Sequence, residues 1–122
     1  MTKKILFIED ESALQQILKD ILTKKGYEMI SALDGEVGLK LAKEKKPDLI
    51  LLDLILPKLH GLQVLKNLKE DEVTKDIPVV ILTNLEQIDD INKALELGAK
   101  SYLVKVQYSL EEIAEKIKKA LD

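Results

Sequence analysis

An α/β fold built on a five-stranded parallel sheet is what this sequence predicts, and three observations carry the prediction. Short apolar runs alternate with helical patterns five times along the chain, as strands and their covering helices do in α/β units. The most apolar run, LILLDL at residues 49–54, lacks the alternation of a half-exposed strand, so it belongs inside a sheet covered on both faces. The length, 122 residues, suits one sizeable core and is too short for two. We expect one domain over residues 1–122, with five strands and five helices.

KKILFI, residues 3–8, reads as the first strand. Leu14, Ile17, Leu18, Ile21 and Leu22 then recur at three- and four-residue spacing, and Gly26 closes that helix. YEMISA, residues 27–32, is less apolar, which suits a second strand at an edge. After Asp34 and Gly35 a short helix runs to about Lys46 and is ended by Pro47; residues 49–54 form the third strand. Leu62, Leu65 and Leu68 mark a third helix, and IPVVILT, residues 77–83, a fourth strand. Ile88, Ile91, Ala94 and Leu95 mark a fourth helix stopped by Gly98, before the fifth strand SYLVK at 101–105. Ser109 with Glu112 makes a capping box for a last helix whose Leu110, Ile113, Ile117 and Leu121 share one face.

Composition narrows the function. No apolar stretch reaches the roughly 18 to 20 residues of a membrane span, and the start lacks a signal-peptide cleavage site, so a soluble cytoplasmic protein without membrane insertion is expected. Cysteine is absent, which removes disulfides, thiolate nucleophiles and cysteine metal sites. Net charge is −3 and all 19 basic residues are lysine, so the guanidinium that most often reads guanine or forks a phosphate is missing. Direct nucleic-acid binding is not expected. The clusters Lys43, Lys45, Lys46 and Lys116, Lys118, Lys119 fall late in helices, where cations complement the dipole.

The odd residue is Asp53, a carboxylate inside the most apolar run, where an unpartnered charge costs several kcal/mol or stays protonated. In an open parallel sheet the ligand site lies beyond the carboxyl ends of the strands. The first strand ends in Glu9 and Asp10, the third near Asp53, the fourth at Thr83 and the fifth at Lys105. If the inner strands are neighbours, these residues meet at one rim. Taken singly they are ordinary: acids after a strand often cap the next helix, and a lone lysine is usually solvated. Together, three carboxylates about 5 Å apart would repel by roughly 3 kcal/mol per pair, which a cation would relieve. All-oxygen ligands favour Mg2+, which shares its sphere with phosphate. Lys105 can neutralise a phosphate and the Thr83 hydroxyl can donate to it, so the set suits phosphoryl acceptance on aspartate. His60, the only histidine, reads as an exposed loop residue, and Tyr102 as a half-buried strand aromatic.

In this order, on this alternation, four pieces resemble the response-regulator receiver domain over the whole chain: Glu9-Asp10, D-L-I-L-P-K-L-H-G from Asp53 to Gly61, I-L-T ending at Thr83, and Y-L-V-K from Tyr102 to Lys105. The resemblance implies a flavodoxin-like three-layer sandwich with strand order 2-1-3-4-5. It implies that Asp53 is the phosphoacceptor, taking its group from a sensor histidine kinase or a histidine phosphotransfer protein. Glu9, Asp10, Asp53 and the Ile55 carbonyl would then hold Mg2+, and Lys105 would be the phosphate counter-charge. Thr83 and Tyr102 would form the switch pair, and the fourth helix, fifth strand and fifth helix would meet a downstream effector protein. No output domain follows within the chain, so a stand-alone, chemotaxis-receiver-like switch is expected.

Three positions depart from the family pattern. Val106 stands where a proline in a cis peptide is usual; a cis bond before a non-proline residue costs about 3 kcal/mol, so a trans peptide is expected. Asn84 replaces a small residue after the threonine and can hinder entry or bind the phosphate. His60 stands where an acid is frequent, at a peripheral position. Ile55 and Leu85 occupy the positions that flank the hydrolytic water in the family, and neither can hydrogen-bond a water, which implies slow autodephosphorylation. Two rivals stay open: a receiver-like binding module that is never phosphorylated, and a small aspartate-nucleophile phosphatase. Such phosphatases usually carry a second acid two residues after the first, and here that position is Ile55.

Overall fold

A computed structural model describes residues 2–84 and 88–121. The elements follow the alternation read from sequence: β1 (Lys4–Ile8), α1 (Ser12–Lys24), β2 (Glu28–Ala32), α2 (Gly35–Lys45), β3 (Leu49–Leu52), α3 (Gly61–Glu70), β4 (Val79–Thr83), α4 (Ile88–Glu96), β5 (Ser101–Val104) and α5 (Leu110–Leu121). The strands form one parallel sheet in the order β2-β1-β3-β4-β5. This is the flavodoxin-like arrangement expected, with the less apolar β2 at an edge and LILL of β3 in the centre.

Alternate strand residues divide between two cores, as the two-residue period of a strand requires. Leu6, Ile8, Ile50, Leu52, Val79 and Ile81 pack with Ala42, Val64, Leu65, Leu68 and Ala94 from α2, α3 and α4. On the other face, Ile5, Phe7, Leu49, Leu51, Val80 and Leu82 pack with Leu18, Leu22, Ile113, Ala114 and Ile117 from α1 and α5. The sheet is therefore the middle of three layers. The capping box is present at α5: the Ser109 amide donates to the Glu112 carboxylate at 2.9 Å and the Glu112 amide to the Ser109 hydroxyl at 3.1 Å.

Every strand is shorter than its sequence reading, β1 and β2 by one residue at the start. β3 stops at Leu52, leaving Asp53 and Leu54 beyond the ladder; β4 starts after Pro78, which has no N–H to give; and Lys105 opens a 3-10 turn, Lys105–Gln107, after β5. Three helix positions read as core are in fact solvent-facing, Ile17 of α1 and Ile88 and Leu95 of α4. α1 buries Gln15 instead, along with Leu18 and Leu22. The Lys105–Val106 peptide is trans, as expected, since no cis bond occurs among the described residues.

Candidate functional site

Because β1, β3, β4 and β5 are consecutive in the sheet, their carboxyl ends open onto one rim. Glu9, Asp10, Glu11, Asp53, Ile55, Thr83, Asn84 and Lys105 line a cavity of about 190 Å³ there. Seven of these eight were singled out from the sequence; Glu11 was not. Thr83 and Glu9 are almost wholly buried, Asp53 is 5 % exposed, and Asp10 and Ile55 face solvent.

Each side chain has a local reason for its place. The Asp53 amide still donates to Ile8 at 3.0 Å, so the chain leaves β3 along the same line and carries the carboxylate over the end of β1. One Asp53 oxygen accepts from the Ile55 amide at 3.1 Å, and the other accepts from Lys105 at 2.9 Å. Lys105 also donates to the Glu9 carboxylate, whose second oxygen accepts from the Glu11 amide at 3.2 Å. Gly61, the first residue of α3, donates its amide to the Leu54 carbonyl at 2.9 Å and seats that helix against the Asp53 loop. His60 caps the same helix, its Nδ1 accepting from the Leu62 amide at 3.1 Å, while the ring stays exposed. Tyr102, read as a half-buried strand aromatic, is exposed at 44 % on β5 and joins neither core. Leu85 lies outside the described residues.

Charge dominates this rim. Burial pushes the Glu9 carboxyl up to about 7, against the pull of the Lys105 hydrogen bond and with added repulsion from Asp53. Burial lowers the Lys105 pKa, but the hydrogen bonds to Glu9 and Asp53 outweigh it and leave the ammonium above its ordinary value of 10.5. Between 4.5 and about 7 the folded chain therefore holds a proton on Glu9 that the unfolded chain has lost, so stability from this group falls as pH rises through that window. We expect the metal-free protein to lose thermal stability between pH 5 and pH 7 more steeply than its Glu9→Gln variant. Parallel melting curves at several pH values check this; identical slopes would contradict it.

One oxygen each from Glu9, Asp10 and Asp53 lie within 4.8 Å of one another. Three carboxylates against one ammonium leave two negative charges when all are ionised, which matches a divalent cation. The donor set is all oxygen, without histidine or cysteine, and so fits Mg2+ in particular. Besides Glu11, sequence reasoning missed Gln15, whose side-chain amide lies under Glu9 with its nitrogen 2.8 Å from the Phe7 carbonyl. As one polar residue on a helix it carried no signal in sequence.

A family model described as the response regulator receiver domain matches residues 5–118. Among curated proteins, the alkaline phosphatase synthesis transcriptional regulatory protein PhoP of Bacillus subtilis is 40 % identical over 99 % of this chain and 49 % of its own length. The chain thus spans about half the length of the curated relatives it matches. Among solved structures, a CheY-like receiver domain protein from Methanospirillum hungatei superposes with a TM-score of 0.92 at 27 % identity, covering 100 % of this chain and 95 % of that one. The phosphorylated cyanobacterial phytochrome response regulator RcpA gives a TM-score of 0.85 at 31 % identity, over 98 % of this chain and 93 % of that one. Among the described residues, no helix is long and apolar enough to cross a membrane.

Proposed function

The chain belongs to the response regulator receiver domain family of two-component systems, and we propose on that premise that it is a phosphorylation-controlled switch with Asp53 as its acceptor. The observation that carries this reading is the Asp53 carboxylate itself, set over the sheet's rim with one oxygen on the Ile55 amide and the other on Lys105. The donor is a phosphohistidine of a sensor histidine kinase or a histidine phosphotransfer protein. An Asp53 oxygen attacks phosphorus, the P–N bond breaks as the P–O bond forms, and the electron pair leaves on the imidazole. Glu9, Asp10, Asp53 and the Ile55 carbonyl are the groups that would hold Mg2+, which when bound supplies positive charge and ligation for the phosphoryl oxygens. Lys105 exchanges a carboxylate partner for the phosphoryl group, and Asn84 at the mouth offers a further amide.

A phosphoryl group adds nearly two negative charges and new acceptors beside Thr83, so the Thr83 hydroxyl turns to it and Tyr102 moves inward behind. The face of α4, β5 and α5 then presents a changed surface to a downstream effector protein in the cytoplasm, rather than to nucleic acid. Incubation with acetyl phosphate and Mg2+, followed by intact mass, tests the reading: a stable adduct supports it, whereas no adduct favours a fixed binding module, and steady release of phosphate favours a phosphatase. Mg2+ should also bind the unmodified protein weakly and raise its melting temperature, and Asp10→Ala should remove most of that affinity. Equal titration curves for the two proteins would discard the proposed metal site.

The lifetime of the mark follows from the cavity wall. Ile55 lines it and cannot hydrogen-bond an attacking water, so we expect the adduct to outlast many seconds once the donor is removed. A variant with Ile55→Asn and Leu85→Glu should decay faster; decay within seconds in the original protein, or no acceleration in the variant, would show that these positions do not set the rate.

A further inference from the structure

We propose that Gln15 is a positioning residue of the acidic rim, holding the backbone from which Glu9 and Asp10 project; this rests on the metal-assisted reading of that site. Its side chain is 4 % exposed, and its Nε2 lies 2.8 Å from the Phe7 carbonyl, 3.1 Å from that of Glu9 and 3.1 Å from that of Ala32. Three carbonyls around one atom fix the orientation of the amide, because the flipped group would set an oxygen against three oxygens. One side chain on α1 therefore gathers the ends of β1 and β2.

The Glu9 backbone is then held on both sides. Its N–H donates to the Ala32 carbonyl at 2.9 Å, and its C=O, which belongs to the peptide leading into Asp10, accepts from Gln15. Asp10 needs this support more than its neighbours do. Glu9 and Asp53 are both tethered by Lys105, but among the described residues the Asp10 side chain has no hydrogen-bond or ion-pair partner. Its position relative to the other two carboxylates is set by the backbone alone.

A second observation separates this role from plain packing. Gln15 Oε1 is buried with no hydrogen-bond partner among the described residues. Burying an unpartnered amide oxygen is unfavourable, and an apolar side chain of the same length would avoid that cost while filling the same space. What an apolar chain cannot supply is the donor to Glu9. Groups that orient metal ligands from behind commonly control affinity as strongly as this.

The test is Mg2+ titration of the unmodified protein by calorimetry, comparing the original chain with Gln15→Met and with Leu22→Ala. Leu22→Ala opens the core at the far end of α1 and serves as a control for lost stability. We expect Gln15→Met to weaken Mg2+ binding by about 10- to 100-fold, with the amide NMR signals of Asp10 and Glu11 displaced. Leu22→Ala should lower the melting temperature and leave the affinity unchanged. Should Gln15→Met fail to fold, Gln15→Asn, which withdraws the amide by one methylene, should show the same loss in weaker form. Unchanged affinity in the folded Gln15 variants, or an equal loss in Leu22→Ala, would overturn the role of Gln15. Absence of Mg2+ binding by the original chain would instead overturn the metal site, and this role with it.

Discussion

Asp53→Asn is expected to abolish phosphoryl uptake completely while leaving the fold intact. The amide keeps the shape of the carboxylate and still offers an oxygen to the Ile55 amide, which Asp53 now holds at 3.1 Å. What disappears is the negative charge that makes the group a nucleophile, and with it one of the three ligands grouped within 4.8 Å. Repulsion from Asp53 is among the causes that raise Glu9, so the Glu9 pKa should fall in the variant. Intact mass after incubation with acetyl phosphate and Mg2+ should show only the unmodified chain. An adduct persisting in Asp53→Asn would move the acceptor to another residue.

Gly61→Ala should be the most damaging small substitution near the site. A Cβ at Gly61 would stand 2.4 Å from the Leu54 Cα and 2.5 Å from the Asp53 carbonyl oxygen. Both are backbone atoms, so no rotamer change makes room; α3 or the Asp53 loop must move as a whole. Overpacking against fixed backbone costs about 3 kcal/mol, which for a chain of this size is a fall in melting temperature on the order of 10 °C. Because the displaced segment carries Asp53, phosphoryl uptake should fall with stability. Gly26→Ala supplies the contrast. There φ is +93° but nothing lies within 4 Å of a new Cβ, so the cost is backbone strain of about 1 to 2 kcal/mol and uptake should be untouched. Equal losses for the two variants would mean that the close seat of α3 on Leu54 does not position the site.

How much of this was legible in sequence depended on whether the signal was periodic or three-dimensional. Five alternations placed the strands, because a run such as LILL buried on both faces has no other reading at that length. Asp53 stood out because an acid contradicts that run. Glu9, Thr83 and Lys105 followed only through the strand order, since each is ordinary alone. The order 2-1-3-4-5 itself came from family resemblance. What stayed hidden needed coordinates. Ile17 and Ile88 look like core by spacing but lie on the flank of an apolar stripe, where a helix also meets water. Gln15 is the reverse, a polar letter on a helix that becomes informative only once three carbonyls from two strands converge on it. The end of β3 at Leu52 was equally unreadable, because Leu54 continues the apolar run and enters the core without joining the ladder.

The contact between Lys105 and Glu9 joins residues 96 positions apart. Synthesis delivers the amino-terminal end first, so on the ribosome the acids at the ends of β1 and β3 emerge well before the cation that pairs with them. Until β5 arrives, β4 is an open edge and the carboxylates of Glu9 and Asp53 keep only their backbone amide partners, without the shared ammonium. The rim is thus among the last parts of the molecule to be completed. A chain ending before Lys105 would carry Glu9 and Asp53 without the one ammonium that pairs with both.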